Sequence, residues 1–301
     1  MTRTQPARRV PAMALMALAG ALIGFAGLSS ATAEEAAGEE HAVARQDWSF
    51  GGFRGQYDQA QLQRGFQVFQ QVCTACHGLD RVRFRNLAEP GGPNFPVEAV
   101  KQLAVTWPYQ ISGELDDEGN PIDRLPGLAD PIIGPYKNDA QARAAQGGAL
   151  PPDLSLIVKA RTLHNESSWP VHVLTMLSDV VTGYQEGGAD FVYGLLTGYK
   201  DPPPAGVEMA EGKYYNVVFP GHQLSMPPPL SKDSVVEYQA ESGVKASFEQ
   251  NARDVTAFLA WASDPSLDSR KVMGWQVLLY LLITTVLLYL AKRSIWSRVK
   301  H

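Results

Sequence analysis

The sequence predicts a mainly α-helical domain with long ordered loops, followed by one C-terminal membrane helix. Three observations carry that expectation. Apolar residues recur at helical spacing in 58–77 and again in 251–262. An uncharged run, "VMGWQVLLYLLITTVLLYLA", fills 272–291. Residues 86–148 are dense in Pro, Gly and Asp, which make turns rather than regular elements. No internal repeat, phosphate-binding glycine loop or nucleophile triad is evident in the sequence.

Taken in order, residues 1–33 read as a secretory signal peptide. Arg3, Arg8 and Arg9 precede an apolar stretch from Val10 to Leu28, and Ala31-Thr32-Ala33 forms a small-x-small cleavage site. An uncleaved N-terminal anchor is the alternative, weakened by Gly20, Gly24 and Gly27. Residues 34–50 begin with "EEAAGEEH" and read as an acidic tether. The body follows at 51–269, long enough to bury a core of its own.

A membrane anchor is expected at 270–293 and a short tail at 294–301. The charge-free run is 20 residues, the length that crosses a hydrocarbon core. Arg270 and Lys271 bound one end; Lys292, Arg293, Arg298 and Lys300 bound the other, and Trp275 and Trp296 stand where interfacial aromatics belong. Export of the N-terminus and the basic tail together place 51–269 in the periplasm and the tail in the cytoplasm. Setting aside the three signal arginines and the six basic residues from 270 onward takes the net charge from −5 to −14 on 34–269. An acidic exported face suits a basic soluble partner and excludes nucleic acid as a ligand class.

The chemistry is concentrated in "FQQVCTACHGLD", 69–80, which holds the only two cysteines of the chain. Cys73, Cys76 and His77 match the attachment motif of a covalent haem c. Leu62, Phe66, Phe69, Cys73 and Cys76 are spaced 4, 3, 4, 3, so a helix over 58–77, begun by Asp58, puts both thiols on one face. His77 then lies within reach of the iron. A redox dithiol needs a βαβ setting and half a zinc site needs a second pair of ligands; the sequence offers neither.

One histidine leaves the iron a second axial position. Met176 lies in an apolar helical run, Met209 in a polar loop and His41 in the tether. Met226, in "FPGHQLSMPPPLS", stands before Pro227, Pro228 and Pro229, whose fixed backbone holds a thioether without adding polar groups. Met226 is therefore the expected ligand, with His222 its nearest competitor, and a His–Met pair suits an electron carrier of high potential. The ligand loop and the helices at 58–77 and 251–262 together suggest an enlarged class I cytochrome c domain.

"QRGFQVFQQVCTACHGLD" (63–80), "GGALPPDLSLIVKAR" (147–161), "FVYGLLTGYKDPPP" (191–204), "YYNVVFPGHQLSMPPPLS" (214–231) and "NARDVTAFLAWASDP" (251–265), in that order and followed by an anchor, resemble cytochrome c1 of the bc1 complex. The likeness is to alphaproteobacterial members and runs from about residue 45 onward. It implies an electron carrier within ubiquinol–cytochrome c reductase, the chain itself breaking no bond. That carrier would sit beside cytochrome b in a dimeric complex, take one electron from the Rieske iron–sulfur protein and pass it to a soluble, basic c-type cytochrome. It also implies that Arg161 pairs with a haem propionate; a solvated helix-end arginine is the plainer alternative. Two departures stand out. Phe191 occupies a position where the family often has a propionate-binding tyrosine, and 162–188 is an insertion expected to pack over the haem domain. A free membrane-anchored shuttle, and a haem enzyme or sensor with an open site, are the rival readings.

Overall fold

Asp58 begins the first helix as the residue spacing requires. In the computed structural model, which describes residues 43, 45–162, 169–232, 235–239 and 242–297, its carboxylate accepts the backbone N–H of Gln61 at 2.9 Å. The helix it caps, α1 (Gln59–Gln71), buries Leu62, Phe66, Val68 and Phe69. The segments expected to be a signal peptide (1–33), most of a tether (34–50) and the end of a tail (294–301) lie outside the described residues.

After α1 the chain makes one 3-10 turn, Cys73–Ala75, and then alternates short pieces with loops: β1 (Leu79–Arg83), α2 (Val97–Val105), β2 (Ile111–Leu115), β3 (Pro121–Arg124), β4 (Pro131–Ile132), α3 (Asp139–Ala145) and α4 (Ile157–Ala160). The second half holds α5 (Trp169–Thr182), α6 (Gly187–Thr197), β5 (Tyr214–Tyr215), β6 (Gln223–Leu224), α7 (Phe248–Ser263) and α8 (Leu267–Trp296). Among the described residues strands occur only as antiparallel pairs, β1 with β4, β2 with β3 and β5 with β6. The mainly α class stands, with helices supplying the core and pairs of short strands stiffening the loops.

The core forms where α1 crosses α7. Phe66 and Phe69 meet Phe258 with ring centroids 5.5 and 5.6 Å apart, and Phe258 leans on Trp261. The crossing is close because Gly65 has no side chain: a Cβ there would lie 2.0 Å from the carbonyl oxygen of Asp254. The Asp254 side chain is fully buried at the same crossing, yet each donor around it belongs to one of the two helices. Arg64 Nε donates at 2.8 Å, Gln61 Nε2 at 3.1 Å and Gln250 Nε2 at 2.8 Å. A buried carboxylate is tolerated only when satisfied in this way.

Helix α7 starts at the Ser247 cap, whose hydroxyl accepts from Gln250 N at 3.1 Å, and ends at Asp264. Its continuation α8 is long and apolar enough to cross a membrane and none of its apolar stretch is buried. The N-terminal end of α8 is docked on the body: Leu267 is buried, Asp268 accepts from Tyr57 N at 3.2 Å, and Lys271 Nζ donates to Phe50 O at 2.6 Å.

Some expected elements need correction. The helix expected over 58–77 stops at Gln71, because Val72 and the 3-10 turn tighten the chain before the cysteines. Helix α2 and the β2–β3 hairpin lie inside 86–148, whose Pro and Gly content reads as long loops with one short helix near "NDAQARAAQG" (138–147); that helix is α3. Residues 153–161 are helical only over α4. The insertion 162–188 does contain a helix, α5, but none of its residues is fully buried, so it lies on the surface of the body and adds nothing to the core.

Two substitutions test the crossing. Gly65→Ala forces a methyl into Asp254 O and lowers stability by about 1–3 kcal/mol, the usual range for overpacking. Gln70→Ala, on the exposed side of the same helix, stays within about 0.5 kcal/mol. Circular dichroism melts of the detergent-extracted protein separate the two.

Candidate functional site

The "CTACH" segment forms one compact turn at the end of α1. Cys73 O accepts from both Cys76 N at 3.1 Å and His77 N at 2.9 Å, and Thr74 Oγ1 donates back to Gln70 O at 2.7 Å. Tyr109 fixes the turn from outside, its hydroxyl donating to Thr74 O at 2.9 Å. Cys73 and Cys76 remain separate, half-buried thiols, and Gln146 Nε2 lies 3.6 Å from Cys76 Sγ. Burial pushes the Cys73 thiol up to about 12, with Cys76 adding to the shift. The free side chain therefore stays protonated at neutral pH.

His77 is held by the segment that opens "LPPDLS". Its Nδ1 lies 2.7 Å from Pro152 O. A carbonyl oxygen only accepts, so Nδ1 carries the proton and Nε2 keeps its lone pair. Burial lowers the imidazole pKa, against smaller raising effects from the Pro152 bond and Asp153, which keeps the ring neutral. This is the state in which a histidine ligates a metal, with its other nitrogen bonded to a carbonyl.

Four contacts fasten the two segments together. Besides the His77 bond, Leu154 N donates to Gly78 O at 3.0 Å, Asp80 N to Asp153 Oδ2 at 2.7 Å, and Arg81 N to Ser155 Oγ at 3.0 Å. Gly78 also sits against Gly134, where a Cβ on Gly78 would come within 2.6 Å of Gly134 N. The sequence marks 147–155 only as a family motif; the Pro151-Pro152 pair is the signal that this stretch is stiff enough to present a carbonyl.

Met226 lies in a second supported loop. The loop is closed by the β5–β6 pair, and Tyr199 Oη donates to Met226 O at 3.0 Å. Asn216, fully buried, ties this loop to α6: its Nδ2 donates to Leu195 O at 2.8 Å while its Oδ1 accepts from Val218 N and Phe219 N. In sequence Asn216 reads as an ordinary turn residue, so nothing in the pattern singles it out. His222 stacks on Tyr215 with centroids 5.4 Å apart and has its Nδ1 3.0 Å from Asn216 O. Met176 is on the exposed surface of α5, and Met209 is half-buried in a loop.

Arg161 caps the C-terminal end of α4 and is exposed. Its turn is pressed against α6, where a Cβ on Gly188 would come within 1.7 Å of Val158 O. Phe191 is buried on α6, whereas Tyr193 turns to the edge of Trp48, centroids 6.2 Å apart. The acidic "LDDE" stretch, 115–118, forms the exposed end of the β2–β3 hairpin.

Residues 48–299 match the profile described as the Cytochrome C1 family. The chain belongs to the cytochrome c1 family. It is 46% identical over 255 residues to "Cytochrome c1" of Blastochloris viridis, covering 85% of this chain and 86% of that one. To "Cytochrome c1" of Rhodospirillum rubrum it is 42% identical over 272 residues, covering 85% and 88%. "Cytochrome b/c1" of Bradyrhizobium diazoefficiens is 43% identical over 250 residues, 83% of this chain but 35% of that longer protein.

Membership makes the chain a covalent haem c protein of electron transport. The side chains present fit that group: two unpaired thiols and a neutral imidazole of fixed tautomer on one turn. Replacing Asp153 by Ala removes the acceptor of two backbone N–H groups, Asp80 and Ser155. The expected cost is about 1–3 kcal/mol, read as a lower melting point with the haem still covalently attached.

Proposed function

We propose that this chain is the cytochrome c1 subunit of ubiquinol–cytochrome c reductase, taking one electron from the Rieske iron–sulfur protein and passing it to a soluble c-type cytochrome. The observation that carries the reading is the hydrogen bond from His77 Nδ1 to Pro152 O, which leaves Nε2 free to donate to an iron. Cys73 and Cys76 would hold the porphyrin through two thioethers, with His77 and Met226 as the axial pair. The haem supplies a one-electron couple at the iron. The chain's own part is to fix the imidazole through Pro152, steady the methionine loop through Tyr199 and Asn216, and close the body around the turn.

Arg161 is proposed to pair with a propionate. Its exposure and the absence of an ion pair to it among the described residues leave the guanidinium available. The name of the Bradyrhizobium relative, in which b and c1 share one chain, supports cytochrome b as a neighbour. A net charge of −14 on 34–269 supports a basic soluble acceptor, and a dimeric complex follows from the same family reading. The proposed boundaries are a signal at 1–33, a tether at 34–50, a periplasmic haem domain at 51–269, an anchor at 270–293 and a cytoplasmic tail at 294–301.

Mild-detergent extraction through a C-terminal tag tests the assignment. Co-purification of b-type haem and a Rieske signal, with quinol-dependent reduction of the haem c, is expected. Recovery of the chain with haem c alone, after an extraction shown to keep other membrane complexes whole, makes it a free shuttle instead. The ligand assignment has its own test. Reduced Met226→Ala binds carbon monoxide while the unaltered protein does not, and its midpoint potential falls with loss of the thioether. Arg161→Gln lowers the potential as well, since removing a cation beside the haem favours the ferric state, without moving the melting point.

A further inference from the structure

Helix α5 is inside out for a soluble domain. At about 100° per residue, Trp169, Val173, Leu174, Met176, Leu177, Val180 and Val181 share one arc, whereas His172, Thr175, Ser178 and Asp179 fall on the other. The contacts of α5 with the body come from the polar side, at Thr175 and Asp179, and from Val173 at the edge of the apolar arc, while His172, Ser178 and the neighbouring Val171 are exposed. Asp179 Oδ1 accepts from Arg45 Nη2 at 3.0 Å, and Thr175 and Asp179 are half-buried. The apolar arc faces outward, with Leu174 66%, Val180 70% and Val181 77% exposed. A contiguous surface of this kind marks a contact with something other than water.

Its position indicates what that is. The C-terminal end of α5 rests on residues 51–53: a Cβ on Gly183 would come within 2.9 Å of the Phe53 ring, and one on Gly52 within 3.9 Å of Thr182 O. That segment is bound to the base of the anchor, where Lys271 Nζ donates to Phe50 O and to Gly55 O. The next residue, Arg54, places its guanidinium over Trp275 at 5.6 Å from the ring centroid. Trp275 is at the level of α8 where interfacial aromatics sit. Phe53, half exposed, lies against Gly183 at the end of α5 and is followed by the Arg54 that covers Trp275 of α8.

We infer that the apolar face of α5 lies in the lipid interface beside the anchor, so that the haem domain rests on the bilayer at a second point. The occupant is the headgroup–acyl boundary of a zwitterionic bilayer, because α5 carries no Lys or Arg with which to select anionic lipid. A second protein surface is the competing occupant.

The inference rests on α8 crossing the membrane, and the test keeps the two apart. The tagged complex is reconstituted in phosphatidylcholine nanodiscs carrying one environment-sensitive fluorophore, attached at Leu177→Cys, Val181→Cys, Leu115→Cys on the β2–β3 hairpin, or Leu282→Cys midway along α8. An unchanged haem spectrum shows each variant folded. Labels at 177 and 181 should lose emission to nitroxide placed near the lipid headgroup and resist aqueous iodide. The label at 115 should do the reverse, and the label at 282 should respond to deep nitroxide. Iodide quenching at 177 and 181 overturns the inference. Shielding from both quenchers does so too, since protein then covers the face. Loss of lipid contact at 282 removes the anchor reading together with this one.

Discussion

The approach of two backbones at Gly65 and Asp254 is the constraint from which the rest of the body takes its shape. At that separation the helices at 59–71 and 248–263 can interlock Phe66, Phe69 and Phe258, and no larger residue at 65 permits it. The same crossing buries a carboxylate and supplies its three donors from the two helices themselves. Its polar part therefore contributes alignment: a helix rotated out of register leaves Asp254 buried and unsatisfied, a penalty of several kcal/mol. The attachment turn begins where the first of these helices ends, so its position follows from the crossing.

Around that core the site is made by loops, which are anchored by buried residues such as Leu79, Leu154 and Leu230 and oriented by hydrogen bonds. Residues 152–155 run beside 77–81 with a carbonyl, an amide, a carboxylate and a hydroxyl each taking one partner. The methionine loop is fastened by a phenol and a buried amide. Such supports are directional, which suits a site whose ligands must point at one metal. They also cost little apolar surface, leaving the area around the turn accessible to a porphyrin and its partners.

The sequence and the structure agree best where chemistry or periodicity is dense. Cys73, Cys76 and His77 announce the cofactor, Asp58 sits where a cap belongs, and 272–291 has the composition of an anchor. Legibility fails where one signal masks another. Helix 97–105 is hidden by the prolines and glycines before it, and the hairpin at 111–124 has no strong alternation because both of its faces are wet. The helix expected through residue 77 ends sooner because the attachment turn needs a tighter backbone than periodicity reveals. Pro152, Tyr109 and Asn216 act through single bonds to distant residues, and no local pattern encodes such a partner.

Asp264 joins α7 to α8, and its carboxylate is engaged by Arg270 at both oxygens and by Lys159 at Oδ2. Lys271 and Asp268 are also bound to the 50–57 segment, so the start of α8 is tied to the body from more than one side. Charge as well as packing therefore sets the direction in which α8 leaves the body, and neutralising Asp264 would release two cations at that joint together.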